Sequence, residues 1–445
     1  MNCTIQIYLE NQWTSIATFE PFKGHSRHGY ADCGGYLEHN DNYVSNFFRA
    51  KRTKRESEFP RISLPIPITF PPEDYNNWPA FLLDLLPTGA GRRVMVERMR
   101  LTEGPGADWE LLLGGARHPV GWLRVLPGDG QDVNDDWRTS RGFTAEEVSV
   151  REQYFLEYMI EQGASIAGSS DVQGEAPKLL LTQDADGLFH ADGALPDHQA
   201  KRHWLVKYSR SRTDRERQIL RNECAYLHLA HSFGVKVHDI EGVHLSQNLA
   251  LFVPRFDREC TPEHTVNRFG LESFASAAGR AEFGFNANHE DHCALLLAFS
   301  SSPTEDIIEY VQRDVLNVCM GNTDNHARNH AFRKKPGEVR LSPLYDFAPM
   351  FFSEEGIARS VRWSREKERM GQPNWTAVGT YLVGLKGMQP SQIAEMFASV
   401  ASGLSNIEKI AGEVGIEAEV LNRRKLEFAE NLAGLDEAAN SVAKL

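Results

Sequence analysis

The sequence predicts an α+β protein: a small β-rich amino-terminal subdomain in front of two lobes. Strand-like alternation concentrates before residue 254, and apolar residues at helical spacing dominate after it. With 445 residues there is room for about three folding units, and 41% hydrophobic with 24% charged residues is ordinary for a globular protein. The divisions read from the pattern are 1–135, 136–253 and 254–445, with the Gly-, Asp- and Pro-rich stretch Pro127–Asp136 as the first linker.

Taken in order, Ile5-Gln6-Ile7-Tyr8-Leu9 alternates and Trp13-Thr14-Ser15-Ile16-Ala17 is its hairpin return. Pro60 to Pro72 is extended. Trp78, Phe81, Leu82, Leu85 and Leu86 predict a helix stopped by Pro87 and Gly89, and a second runs from Arg92 to Met99. Gly114-Gly115 predicts a turn, and Val120 to Val125 a strand. A second unit begins near Thr144, with a helix from Tyr154 to Gln162 and a Gly/Ser segment from Gly163 to Gly174. Strands follow at Lys178–Thr182 and His203–Tyr208, separated by a turn at Asp184–Gly187. Thr213 or Asp214 caps a helix ending at Gly234. Leu249–Val253 is the final strand predicted, and the tail from Pro390 is helical, its charges mostly a solvated face.

A net charge of −13 argues against a broad basic face for nucleic acid. Six scattered cysteines without a CxxC pair fit a reducing cytoplasm. The first residues lack the charged and apolar regions of a signal peptide, and no run suffices to span a bilayer. The expectation is a soluble cytoplasmic protein.

The chemistry concentrates in Gly321-Asn322-Thr323-Asp324-Asn325-His326-Ala327-Arg328-Asn329 and Leu341-Ser342-Pro343-Leu344-Tyr345-Asp346. An Asp, an Asn five residues later and a second Asp after a hairpin-like interval are the groups phosphoryl transfer needs. One carboxylate orients a hydroxyl and takes its proton; the amide oxygen and second carboxylate hold magnesium against phosphates. Ile307, Ile308, Val311, Val315 and Val318 predict a buried helix running into Gly321, which would hold Asp324 rigidly. Alone, Asn322-Thr323-Asp324 also reads as a polar turn; Asn329 and Asp346 favour the catalytic reading.

Lys207, on a strand between apolar neighbours, needs a partner for its charge, and Glu223 shares a helix face with Ile219, Tyr226, Leu227 and Ala230. Pairing the two, with the ammonium left to reach phosphates, competes with a strand-edge lysine and a half-exposed glutamate. The Gly163–Lys178 segment could offer backbone N–H groups to phosphate, or serve only as a turn; it matches neither GxGxxG nor a Walker A sequence. His289-Glu290-Asp291-His292-Cys293 offers metal-ligand types but no second cluster, and reads as a solvent-facing helix start. Arg212, Arg215, Arg217 and Arg221 read as a solvated stripe, with substrate docking as the minority reading.

These blocks together resemble the HipA family of bacterial serine/threonine protein kinases, toxins of type II toxin–antitoxin modules. Asn322–Asn329 is similar to the family's NTDxHxxN loop, and Leu341–Asp346 to its LxPxYD segment. Arg255-Phe256-Asp257-Arg258 is similar to its RFDR signature, and Phe81–Pro87 to its LLP block. The resemblance implies a two-lobed protein-kinase-like fold with ATP and Mg2+ as cofactors. Asp324 would be the base, assisted by Lys207, with Asn329 and Asp346 on the metal. Gly174, Lys178, Lys207, Glu223, Val253, Arg255, Phe256 and His326 would complete the nucleotide site, Val253 to Phe256 as its hinge. Pro254 lacks an N–H and could offer only its carbonyl or ring. The family often carries an autophosphorylated Ser-x-Ser in its phosphate loop; here Asp171-Val172-Gln173 stands there, with Ser169 and Ser170 adjacent as regulatory candidates. The family's targets include aminoacyl-tRNA synthetases, and its partner is a HipB-like DNA-binding antitoxin; direct nucleic-acid or membrane binding is not expected. Two alternatives stay open: a small-molecule phosphotransferase, and a non-catalytic module that holds an antitoxin and co-represses transcription.

Overall fold

The computed structural model describes residues 2–116, 119–128, 130, 141–151, 155, 158–159 and 178–445. Ser169, Ser170, Asp171 and Gly174 lie outside them, as do most of the expected linker and most of the Tyr154–Gln162 helix. The described chain divides into two units, Met1–Arg210 with His244–Gly284 and Ala331–Val339, and Ser211–Val243 with Phe285–His330 and Arg340–Leu445. Strands dominate the first and helices the second, an α+β arrangement.

In the first unit, β1 (Cys3–Leu9), β2 (Gln12–Pro21), β3 (Gly35–His39), β4 (Glu73–Tyr75) and β5 (Leu123–Pro127) form one sheet in the order β4-β3-β2-β1-β5. The β1–β2 hairpin turns at Glu10 and Asn11, whose φ of 50° and 61° give the turn type whose twist suits paired strands. Ile5 and Ile7 enter the core with Trp78, Phe81, Leu82, Trp109 and Trp122. Thr4 and Gln6, on the other face, are buried too, Gln6 bonded to Ser15 and Arg124.

Three expectations change here. The Trp78–Leu86 segment is not an α-helix: only Ala80–Asp84 coils, as a 3-10 turn between Pro79 and Pro87. Gly114 and Gly115 end the helix Asp108–Gly115 rather than forming a turn. A Cβ on Gly115 would lie 2.3 Å from the Pro87 ring, so glycine there allows close packing. Strands also continue past Val253, at Arg258–Cys260 with Val266–Arg268 and at Gly270–Ser273 with Ala331–Lys335. Pieces that short carry almost no alternation to read.

The second sheet has β6 (Lys178–Gln183), β7 (Phe189–Ala191), β8 (Arg202–Tyr208), β9 (His244–Leu245) and β10 (Ala250–Pro254), in the order β7-β6-β8-β10-β9. Lys207, on the central strand, faces Lys178 on one side and Leu251 on the other.

The second unit is built from Asp214–Ser232, His289–Phe299, Pro303–Met320, Trp375–Val383 and three helices from Pro390 to Val442. Thr213 caps the first through the Glu216 N–H. Ile393, Phe397 and Val400 share a core with Leu435, Ala438 and Val442. Among the described residues, no helix is long and apolar enough to cross a membrane.

Candidate active site

The helix Pro303–Met320 is the platform. Ile307, Val311 and Val315 are fully buried on it, as the spacing predicts. It ends at Gly321, whose φ of 72° lets the chain turn off sharply. A Cβ at Gly321 would sit 2.6 Å from the Phe351 ring. The helix end carries partial negative charge and unpaired carbonyls, which side chains here satisfy. The Tyr226 hydroxyl donates to the Met320 carbonyl at 2.7 Å, and Arg424 donates to those of Cys319 at 2.9 Å and Val318 at 2.6 Å. Nothing in the local sequence marks Tyr226 or Arg424 for this role.

From that fixed end the loop closes on itself. The Asn329 side-chain N–H donates to the Asp324 carbonyl at 2.6 Å, and the Asn329 N–H to that of His326 at 2.9 Å. Asn325 donates to the Val361 carbonyl at 3.3 Å. The Asp324 side chain keeps 19% of its surface exposed, with His326 Nε2 3.6 Å from its carboxylate. His326 Nδ1 accepts the Arg328 N–H, which assigns the ring proton to Nε2, the nitrogen facing Asp324.

The same helix holds the second acidic residue. Asp306 accepts the Leu341 N–H at 2.8 Å, and Arg313 donates to the Ser342 carbonyl at 2.7 Å. Tyr345 donates to the Arg328 carbonyl at 3.0 Å. Asp346 follows with φ of 51°, a conformation that costs a non-glycine residue about 1 kcal/mol or more. Asn322 bonds Asn317 and reaches the Asp346 carbonyl at 3.4 Å. It thus satisfies backbone groups, as the polar-turn reading has it, and in doing so ties the helix end to the Asp346 segment.

The residues fit a magnesium ion on one specific ground. Asn329 Oδ1 is buried and has no hydrogen-bond partner among the described residues, an acceptor held in place with nothing to accept. A hard cation taking oxygen ligands, water and phosphate would satisfy it alongside Asp346.

In the first unit, Lys207 is buried at 5% exposure on β8, and Lys178 lies beside it across the ladder, on the same face. Val253 and Phe256 are partly exposed. Arg255 is buried, and its guanidinium is engaged by Asp257 at 2.7 Å and Asp192 at 2.6 Å, so only its backbone is left to face a nucleotide. Asp257 also accepts from Arg258 and from the Gly121 N–H at 2.7 Å. Burial opposes the charges of Asp192 and Asp257, but the arginines outweigh it and hold both carboxyls below the usual range. The Arg258 guanidinium is itself pushed down to about 10 by burial. Glu223 is buried on the Asp214–Ser232 helix of the second unit.

The His289–Cys293 segment and the arginine stripe both differ from their sequence reading. His289 and His292 are not solvent-facing: each places Nδ1 on the buried Tyr310 hydroxyl, at 2.6 and 2.7 Å, and His289 Nε2 lies 3.1 Å from Asp314. Among the described residues, no group of three or more His, Cys, Asp or Glu is placed to hold a metal. The arginine stripe is more than solvated: Arg215 and Arg221 pair with Glu419 and Glu417, and Arg215 lies over the Phe352 ring.

Residues 170–407 match the family model "HipA-like C-terminal domain", more than half of the chain. The chain is 25% identical over 291 residues to the serine/threonine-protein kinase toxin HipA of Shewanella oneidensis, covering 62% of this chain and 64% of that protein. It is 27% identical over 224 residues to a putative kinase of Sinorhizobium fredii, Y4mE, covering 48% and 52%. Those matches thus span between about half and two thirds of the relatives' own length. In fold, it is similar to a chain from the Shewanella oneidensis complex of HipA, HipB and operator DNA, with a TM-score of 0.65, 18% identity and 99% of each chain covered.

Proposed function

This chain belongs to the HipA-like kinase toxin family, and on that premise we propose that it transfers the γ-phosphoryl of Mg-ATP to a serine or threonine hydroxyl of another protein. The observation that carries the reading is the Asn329–Asp324 closure. It presents a partly exposed carboxylate and a buried, unpartnered amide oxygen on one rigid loop. Asp324 orients the acceptor hydroxyl and takes its proton, with His326 Nε2 3.6 Å from that carboxylate. Asn329 Oδ1 and Asp346 hold magnesium, which neutralises phosphate charge when bound. Lys207 and Lys178 present two ammonium groups to phosphates from one sheet face. Val253 and Phe256, with the Arg255 backbone, supply the adenine hinge, and amides near Gly174 cradle phosphate. An aminoacyl-tRNA synthetase is the acceptor class proposed, and a HipB-like antitoxin the partner.

Incubation of wild type, Asp324→Ala and Asp346→Ala with labelled Mg-ATP and a lysate tests this. Transfer to protein is expected from wild type and should fall by about a thousandfold or more in both variants. Labelling of a small-molecule acceptor alone would replace this reading with the phosphotransferase. An absence of both labelling and ATP binding would favour the non-catalytic module. Asp171→Ser tests regulation: gain of self-phosphorylation with loss of activity would place residue 171 at the family's switch.

A further inference from the structure

Residues 359–373 form a small built platform in the second unit, in which Glu368 is spent holding it together and Glu366 stays exposed. Trp363 is buried, its indole donating to Asp314 at 2.8 Å and its N–H to Glu368 at 3.0 Å. Arg359 pairs with Glu368, and Lys367 with Glu290 at 3.0 Å. Arg362, Arg365 and Arg369 are left exposed against one exposed carboxylate, Glu366. Arg365 and Arg369 meet no carboxylate among the described residues, in a chain whose net charge is −13.

At the tip, Arg369 pairs with Gln372 across a two-residue turn, Met370-Gly371. Met370 has φ of 52° and is fully exposed, at 102%. Asn or Gly suits that turn position, whereas a bulky apolar side chain there is strained and buries nothing in its own chain. Beside it lies a hollow of about 620 Å³, lined by Arg362, Trp363, Arg365, Glu366, Arg369 and Met370. The platform is tied to the candidate active site, because its Val361 carbonyl accepts from Asn325 of the Asp324 loop.

We infer that this platform docks an acidic segment of the protein substrate, with Arg365 and Arg369 pairing its carboxylates and Met370 covering an apolar residue beside them. The inference rests on the kinase reading above and names the substrate feature that reading leaves open. Methionine and arginine are the residues enriched where proteins meet. Three arginines around an apolar tip are too few and too interrupted to track a duplex backbone, which favours a peptide over nucleic acid.

The test uses the full chain and four probes: serine peptides flanked by glutamates, by glutamines or by lysines, and a fluorescent DNA duplex. Binding is read by anisotropy with alanine versions of the peptides, and phosphate transfer by kcat/KM. Wild type should bind the glutamate peptide and favour it roughly tenfold or more over the glutamine peptide, with the preference shrinking as salt rises. Arg365→Glu/Arg369→Glu should lose that preference, gain binding of the lysine peptide, and phosphorylate the glutamine peptide as wild type does. Met370→Ser should weaken glutamate-peptide binding without altering its salt dependence. Asp324→Ala should bind as wild type does and transfer nothing. Equal binding of glutamate and glutamine peptides by wild type, or unchanged preference in the double variant, overturns the inference. So does a duplex that binds these arginines more tightly than the glutamate peptide. Arginine-dependent peptide binding without phosphate transfer to any probe would uphold the platform and sink the kinase reading.

Discussion

The Asn329 side-chain amide donates to the Asp324 main-chain carbonyl across 2.6 Å, while its own oxygen has no hydrogen bond among the described residues. On the proposed function one side chain does two jobs: its nitrogen shapes the loop that carries Asp324, and its oxygen is offered to a magnesium ion.

Those jobs can be separated. Asn329→Asp keeps an oxygen ligand but loses the donor, so metal binding should persist while transfer falls by about a hundredfold. Asn329→Ala should lose both, by about a thousandfold or more. Manganese titration beside single-turnover assays reads the two effects separately. Equal loss of metal binding in both variants would contradict the division of labour.

Gly321 is held at φ of 72°, with Phe351 and Arg424 against the place where a Cβ would stand. Gly321→Ala should cost about 1–3 kcal/mol in urea unfolding, from backbone strain and displacement of the Phe351 ring. The same substitution at Gly412, where a Cβ meets nothing, should be neutral or stabilising.

His292 predicts a pH dependence of stability. Burial lowers its pKa from 6.5 to about 3, so the folded chain keeps the ring neutral where the unfolded chain protonates it. Its contribution is present above pH 6.5 and declines as pH falls toward about 3. His292→Gln should flatten that part of the curve in chemical denaturation at pH 7, 6 and 5, at some cost at neutral pH from the bond to Tyr310. His203 and His330, also lowered by burial, should leave a residual slope.

The Arg255–Asp192–Asp257–Arg258 network predicts large single-site losses. Asp192→Asn removes a charge facing Arg255 deep in the first unit, and leaves a buried guanidinium short of a partner. A loss of about 3–5 kcal/mol is expected for such a break. Arg255→Lys should fare little better, since one ammonium cannot replace contacts to two carboxylates at once. Unfolding monitored by tryptophan fluorescence, with Trp204 on neighbouring β8, would show it.

Much of the candidate site's framework was legible in order along the chain. The apolar stripe of Pro303–Met320, the stop at Gly321 and the positions of Asp324, Asn329 and Asp346 all follow from local spacing. The partners that hold them do not. Tyr226 lies 94 residues from the carbonyl it bonds, and Arg424 lies 105 residues from its own. No local period links residues so far apart. The same limit explains His289 and His292, which look like polar helix-start residues until Tyr310 and Asp314 are placed against them. It explains Arg255 as well: its motif is visible, but Asp192, which takes its charge, comes 63 residues earlier.

By itself the sequence determined the helix and strand segments that a period of 3.6 or 2 can mark, and the kinds of chemical group available. Those are properties of neighbours a few bonds apart. Only the tertiary structure decided which buried charges would be neutralised, by whom, and which polar atoms would have no partner among the described residues. Burial makes an unpaired charge costly, so each such residue takes whatever distant group the fold delivers to it.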